Sequence, residues 1–422
     1  MKKFFRNIHL YLSLAAGLVI LTCCFTGAVL VFEKELQEAF NHDRYYVTQQ
    51  EKQLPIEQMI ANVKQQYPKA KVSSVKLYPD PARSVEIGVT IPSKEDKEGK
   101  KGEGKKAETS KDNNAATPPV AGGKGKQAGP PAGGGRPTHT AFVNPYTGQV
   151  IELYSYRETF FYTMFALHRW LLGSDSSIGK TITGVSTLIF LVILITGIIL
   201  WWPKNKAILL QRLKLKTSGS FKRINHDMHV VLGFYSSIFL FIFAFTALAW
   251  SFKWFNKGIY TVTNSSMEAP KPPQSAFVAD QSKITYDAAF STISKVAPGA
   301  VYYTLRAPSD STGIFTATVL PAGVMETASD SYYIDQYSGQ VIGTLAFNDK
   351  NLGQRVRSAF KPVHTGSIYG LPSKVIAFIV CLLGASFPIT GVIMWINRLK
   401  KKKRKAAEKK LQKVPELSME QV

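Results

Sequence analysis

Four uncharged apolar runs dominate the hydrophobic pattern of this chain, at residues 10–32, 182–202, 230–252 and 375–396, each 21 to 23 residues long. A bilayer core of roughly 30 Å needs about 20 helical residues, so each run predicts a membrane-spanning helix. Polar stretches separate the first run from the second and the third from the fourth. In both, helical periodicity (residues 55–67 and 285–297) precedes strand-like runs such as 85–91 and 313–320. Both end on a hairpin signal, FVNPYTGQVIEL at 142–153 and YIDQYSGQVIGTL at 333–345, with the turn at Gly148 or Gly339. The expected fold class is membrane α-helical, with four transmembrane helices in two parallel repeats. Each repeat is a helix out, an exterior α+β domain and a helix back.

The repeat extends into the spans. His9 precedes Thr26 by 17 residues and His229 precedes Thr246 by the same 17, while His168 and His364 precede Thr196-Gly197 and Thr390-Gly391 by 28 and 26. The segments then read as a cytoplasmic N-terminus (1–9), the first span (10–32) and the first exterior domain (33–160). An interfacial segment with the second span (161–202), a basic loop (203–225) and the third span with its approach (226–252) follow. The second exterior domain (253–358), an interfacial segment with the last span (359–396) and a basic tail (397–422) complete the chain. Residues 93–137, rich in Lys, Gly, Glu, Ala and Pro, are expected to be a disordered insertion. They carry too little apolar surface to offset their ordering entropy.

Charge fixes the orientation. The formal net charge of +23 would suit a nucleic-acid binder if it were spread evenly. Instead, residues 1–9, 203–225 and 397–422 hold 20 of the 52 Lys and Arg against three acids. Positive charge accumulates in short segments left in the cytoplasm, so both termini and the middle loop are expected there, in a bacterial inner membrane. The partner expected for the basic tail is anionic lipid, not nucleic acid. The first run is too long for a signal-peptide core and reads as an uncleaved anchor. Cys23, Cys24 and Cys381 all fall inside spans, and there is no C-x-x-C-H for covalent haem attachment.

Five of the seven histidines lie at the edges of spans: His9, His168, His226, His229 and His364. A pseudo-two-fold axis along the membrane normal would set His9 against His229 on the cytoplasmic side and His168 against His364 on the exterior side. Neutral imidazole ligates iron well, and helix bundles build cofactor sites from facing helices. Two bis-histidine haem sites are therefore expected, with His226, three residues from His229, as an alternative ligand. Arg169 is a candidate partner for a haem propionate. Gly17, Gly27, Gly184, Gly197, Gly233, Gly384 and Gly391 would let helices approach or leave room for a flat macrocycle. Trp201, Trp202, Trp250 and Trp254 are placed as an interfacial belt. His42 and His139 read as exterior surface residues. No Rossmann fingerprint or flavin motif is present, so electrons would come from a separate reductase, a quinol or a soluble donor.

The hairpins NPYTGQVI and DQYSGQVI, the LHRWLLG run at 167–173 and the spans ITGIILWWPK and ITGVIMWINR resemble the PepSY-associated transmembrane proteins. The resemblance covers nearly the whole chain apart from the insertion and the tail. Members that look like this chain are haem-binding inner-membrane reductases, often tied to iron uptake, that reduce ferric siderophores. The resemblance implies two b-type haems, one on His9 and His229 and one on His168 and His364, passing electrons outward to a ferric siderophore or other chelated iron. It departs at Thr365-Gly366, where the first half has Arg169-Trp170, and at Ala247, where the first half has Gly27. The competing expectation is a PepSY-domain protein that binds or regulates an envelope peptidase or other partner without redox chemistry. A transporter fits less well, because the spans contain no charged residue of the kind that marks an ion pathway.

Overall fold

A computed structural model describes residues 1–92, 137–216, 218–278 and 281–419. The expected insertion thus lies outside the described residues except for Pro137. The main elements in chain order are α1 (Lys2–Val31), α2 (Ile56–Gln66), β1 (Lys71–Leu77), β2 (Val85–Thr90), β3 (His139–Val143), β4 (Val150–Tyr154), α3 (Phe160–Trp170) and α4 (Ile178–Trp201). They continue with α5 (Phe221–Ser251), α6 (Lys253–Val262), α7 (Tyr286–Val296), β5 (Ala300–Arg306), β6 (Ile314–Pro321), β7 (Asp330–Asp335), β8 (Val341–Leu345), α8 (Leu352–Thr365) and α9 (Leu371–Met419). They form two compact units, one helical (1–34, 158–263 and 356–422) and one built on a sheet (35–157 and 264–355).

In the helical unit, α1, α4, α5 and the first part of α9 are long and apolar enough to cross a membrane. Their outward surfaces are apolar, with Leu18 77% and Ile389 53% exposed. Only an apolar solvent makes such surfaces favourable, and helices satisfy every backbone group within the segment. The inward faces carry small and polar side chains instead. Thr26, Ser186, Thr196, Ser236, Thr246 and Thr390 are all buried. α5 contains a π-helical turn at Met228–Leu232, a local widening that often marks functional positions.

The sheet unit differs from the expectation of two separate domains. The two polar stretches share one antiparallel sheet of eight strands, in the order β4-β3-β2-β1-β5-β6-β7-β8. The join is β1 to β5, with Val75 opposite Leu305 and Leu77 opposite Tyr303. Each four-stranded half would otherwise present a bare edge at that point, and mutual pairing satisfies both. Met59 and Val63 of α2 and Ala289 and Ile293 of α7 pack with Val75, Ile87, Leu305 and Ile334 in one core.

The hairpins are built alike. Gly148 and Gly339 have φ of 70° and 73°, which glycine adopts without strain. Asn144 Oδ1 accepts the Tyr146 backbone N–H at 2.9 Å, and Asp335 Oδ1 accepts that of Tyr337 at 3.0 Å. The N-termini of α2 and α7 cap each other. The Asp287 carboxylate accepts the Ile56 N–H at 2.9 Å, and the Glu57 carboxylate accepts the N–H groups of Tyr286 and Asp287. Burial, with Asp287 close by, raises the Glu57 carboxyl above the ordinary glutamate range.

Candidate functional site

Two pairs of imidazoles face each other inside the helical unit. The His9 and His229 ring centroids lie 6.4 Å apart with planes at 83°, and those of His168 and His364 lie 6.2 Å apart at 63°. The four rings come from α1, α5, α3 and α8. His9 and Thr26 are 17 residues apart on α1, about 25 Å along the helix at 1.5 Å per residue, so the two pairs sit at well-separated levels.

All four rings are anchored in the same way. His9 Nδ1 lies 3.1 Å from both the Ile193 carbonyl and Thr196 Oγ1. His168 Nδ1 lies 2.9 Å from the Cys23 carbonyl and 3.1 Å from Thr26 Oγ1. His364 Nδ1 lies 2.9 Å from the Phe243 carbonyl and 3.2 Å from Thr246 Oγ1, and His229 Nδ1 lies 2.8 Å from Thr390 Oγ1. A carbonyl only accepts, so Nδ1 carries the proton. Each threonine in turn donates to the carbonyl four residues back (Thr22, Val192, Ile242 or Ser386), leaving its lone pairs for the imidazole. The tautomer that results leaves Nε2 as the basic nitrogen, the one free to ligate a metal.

The residue after each threonine sets the space. A Cβ on Gly27 would stand 3.3 Å from His168 Cε1, one on Gly197 would stand 3.4 Å from His9 Cε1, and one on Gly391 would stand 3.3 Å from His229 Cε1. The Thr-Gly dipeptide is therefore one device: the hydroxyl orients a neighbouring imidazole and the missing side chain admits it. The pairing differs from the spacing pattern that reveals it. His9 is bonded to Thr196 rather than Thr26, and His168 to Thr26 rather than Thr196. Thr246-Ala247 serves His364 without the glycine.

The His9–His229 pair opens on a cavity of about 650 Å³, a size suited to a cofactor. Arg6, Arg212, Arg223 and Arg398 line it, from four different segments. Trp201, expected in an interfacial belt, is instead buried at 6% exposure, with its ring stacked on Phe234 at 3.6 Å. The reason is that α4 turns its last residue into the bundle, while the next residue, Trp202, remains 65% exposed. His226 lines the same cavity, and its Nδ1 approaches the Asp227 carboxylate at 3.2 Å rather than facing another imidazole.

At the second pair, Trp250 packs 5.5 Å from the His364 ring, and the Arg357 guanidinium lies 4.8 Å over Trp250 while its Nε donates to Asn256. Arg169 reaches Asp175 at 3.6 Å. Sequence reading missed Arg357, although it lies seven residues, two helical turns, before His364 and so on the same face of α8. It also missed the threonines as histidine partners. Their regular placement was visible, but not which helix would face which. His42, stacked on Tyr46, and His139, beside Thr138, lie in the sheet unit.

Facing imidazoles with committed Nδ1 atoms, glycine-cleared ring positions and a cavity rimmed by guanidiniums can hold a flat, anionic, metal-centred group between helices. A family profile described as the PepSY-associated TM region matches residues 6–398. No curated protein matches the chain.

Proposed function

The chain belongs to the PepSY-associated TM family, and from that premise we propose that it is a di-haem electron-transfer protein of the bacterial inner membrane. In this reading the helical unit is two parallel repeats with both termini cytoplasmic and the sheet unit exterior. Electrons pass from a separate cytoplasmic or membrane donor, a reductase or a quinol, to an exterior acceptor, a ferric siderophore or other chelated iron.

One observation carries the reading: the spacing of the imidazole pairs. A metal–imidazole bond of about 2 Å plus a ring radius of about 1.2 Å, taken twice, puts the centroids of two axial histidines about 6.4 Å apart. The two pairs stand at 6.4 and 6.2 Å. Bound haem would supply one-electron ferric–ferrous cycling at each level. The protein's own part is to hold each imidazole in the Nδ1–H tautomer and to raise the basicity of Nε2 through the carbonyl and threonine acceptors. The glycines leave the rings room, and the guanidiniums balance carboxylates at the rim.

The test is the absorption spectrum of the purified protein. The expected preparation is red, with a reduced-minus-oxidised spectrum of low-spin bis-histidine haem, and replacing His168 or His364 by Ala removes about half of it. A colourless protein from haem-replete cells would overturn the reading and favour a PepSY protein that regulates an envelope partner.

A further inference from the structure

Among the residues that line the cavity beside His9 and His229, one carries a buried polar group without a partner among the described residues. Trp201 Nε1 is buried and has no hydrogen-bond acceptor among the described residues. An unpaired donor in so apolar a setting costs free energy comparable to a lost hydrogen bond, so its retention calls for an acceptor that arrives from outside the chain. The indole is held in place: its ring stacks on Phe234 at 3.6 Å with planes within 6°. The adjacent cation is also fixed, because Arg212 Nη1 donates to the Leu200 carbonyl at 3.3 Å and to that of Trp201. Both residues line the cavity.

Position along the helix identifies the acceptor. Trp201 lies five residues beyond Thr196, which anchors His9, and so about 7.5 Å further along α4. Trp395 lies five residues beyond Thr390, which anchors His229, and lines the same cavity. Each imidazole of the pair thus has a tryptophan displaced by the same interval toward the same basic end of the bundle.

The geometry points to a carboxylate-binding corner made by Trp201 Nε1 and Arg212, with Trp395 at the matching place on the other helix, which grips the propionates of the haem held by His9 and His229. The inference rests on the proposed function and goes beyond it by orienting the macrocycle: its carboxylate edge faces the basic end, where α4 finishes. An indole N–H and a guanidinium both donate to a carboxylate, and such charge-assisted bonds are about twice as strong as neutral ones. Trp201 Nε1 is the buried side-chain donor of this lining that is left without a partner among the described residues.

Trp201→Phe in the full-length protein tests this, because it deletes the N–H and keeps the stack on Phe234. Loss of haem to an excess of a haem-scavenging apoprotein is followed with haem and with haem dimethyl ester, whose carboxylates carry no charge. For free-acid haem, the substitution should speed loss from one of the two sites about ten- to a hundredfold, the size of one charge-assisted hydrogen bond. The site on His168 and His364 should not change, and the ester should leave variant and wild type alike. Arg212→Gln should repeat the pattern and guards against a folding defect in the first variant. Equal loss of ester and free acid, or no change with either, overturns the inference. A wild-type protein that binds no haem overturns the underlying reading as well and is recognised at once by its missing spectrum.

Discussion

Replacing Thr196 by Val removes one hydroxyl and almost nothing else. The side chains have nearly the same shape, so the packing of α4 against α1 is kept. The Thr196 hydroxyl accepts from His9 Nδ1 at 3.1 Å and donates to the Val192 carbonyl at 2.9 Å. That carbonyl keeps its helical bond, so its loss of a second donor costs little. His9 keeps one acceptor, the Ile193 carbonyl at 3.1 Å. The net loss is one neutral hydrogen bond, about 0.5–1.5 kcal/mol, which corresponds to roughly a two- to tenfold weaker hold on the ligated group. A partner shell lost altogether would cost up to about a hundredfold, so the remaining carbonyl sets the smaller figure.

A second signature follows from the bonding. In the proposed di-haem reading, less hydrogen bonding at Nδ1 would make the imidazole a poorer electron donor and ferric iron less stabilised, so the midpoint potential at this site should rise. The pair about 25 Å away along α1 should stay at its wild-type potential. Spectroelectrochemical titration of the purified protein resolves the two components. An unchanged titration, or an equal shift in both components, would refute the assignment of Thr196 as the His9 partner. Trp201→Phe should move the same component the opposite way, because a propionate deprived of a donor favours ferric iron.

Gly391→Val should weaken haem binding at the His9–His229 level more than Gly391→Ala, because even a single Cβ would stand 3.3 Å from His229 Cε1; the haem-to-protein ratio of the two variants gives the comparison. Leu305→Ala should destabilise the sheet unit by about 2–5 kcal/mol, since the side chain is fully buried at the β1–β5 join, and protease resistance in the membrane checks it. Glu57 gives a pH dependence of known sign. Its folded pKa is raised, chiefly by burial, so its contribution to stability is fully present below the unfolded value and is lost as pH rises through the folded one. Glu57→Gln should therefore flatten the decline in melting temperature across that window; a steeper decline in the variant would reverse the argument.

The spans were legible in the sequence because membrane solvation imposes length and apolarity on each residue run, whatever the neighbours do. The hairpins were legible because Gly148 and Gly339 need a backbone conformation that few other residues adopt. The join of β1 to β5 was not, since nothing local says which edge strand will meet which: Val75 opposite Leu305 is a contact across 230 positions. At the candidate site, depth and symmetry suggested that His9 would meet His229 and His168 would meet His364. The partners of Nδ1 were hidden for the same reason as the sheet join. Thr26 and His9 share a helix, and the equal 17-residue spacings drew attention to that relation, whereas the hydrogen bond runs between helices, from His9 to Thr196 and from His168 to Thr26. Trp201 misled for a different reason. An aromatic at the end of a span is usually interfacial, and only the turn of α4 decides which of Trp201 and Trp202 faces inward.

The division of labour among these contacts carries a consequence of its own. Every hydrogen bond that orients an imidazole lies within one half of the chain: His9 with Thr196, His168 with Thr26, His229 with Thr390 and His364 with Thr246. Every facing pair lies between the halves. Each half therefore prepares two imidazoles independently, and in the proposed reading a metal-centred group bound between facing rings would tie one half to the other. Binding free energy spent across such a boundary is stabilisation of the assembled bundle, by the same linkage that makes a metal site part of folding. Because the threonine and carbonyl anchors fix the rings before any ligand arrives, little of that energy is lost to ordering side chains. Haem loading should then raise the melting temperature of the helical unit and slow its unfolding, and His9→Ala should remove that gain at one level while leaving the other intact.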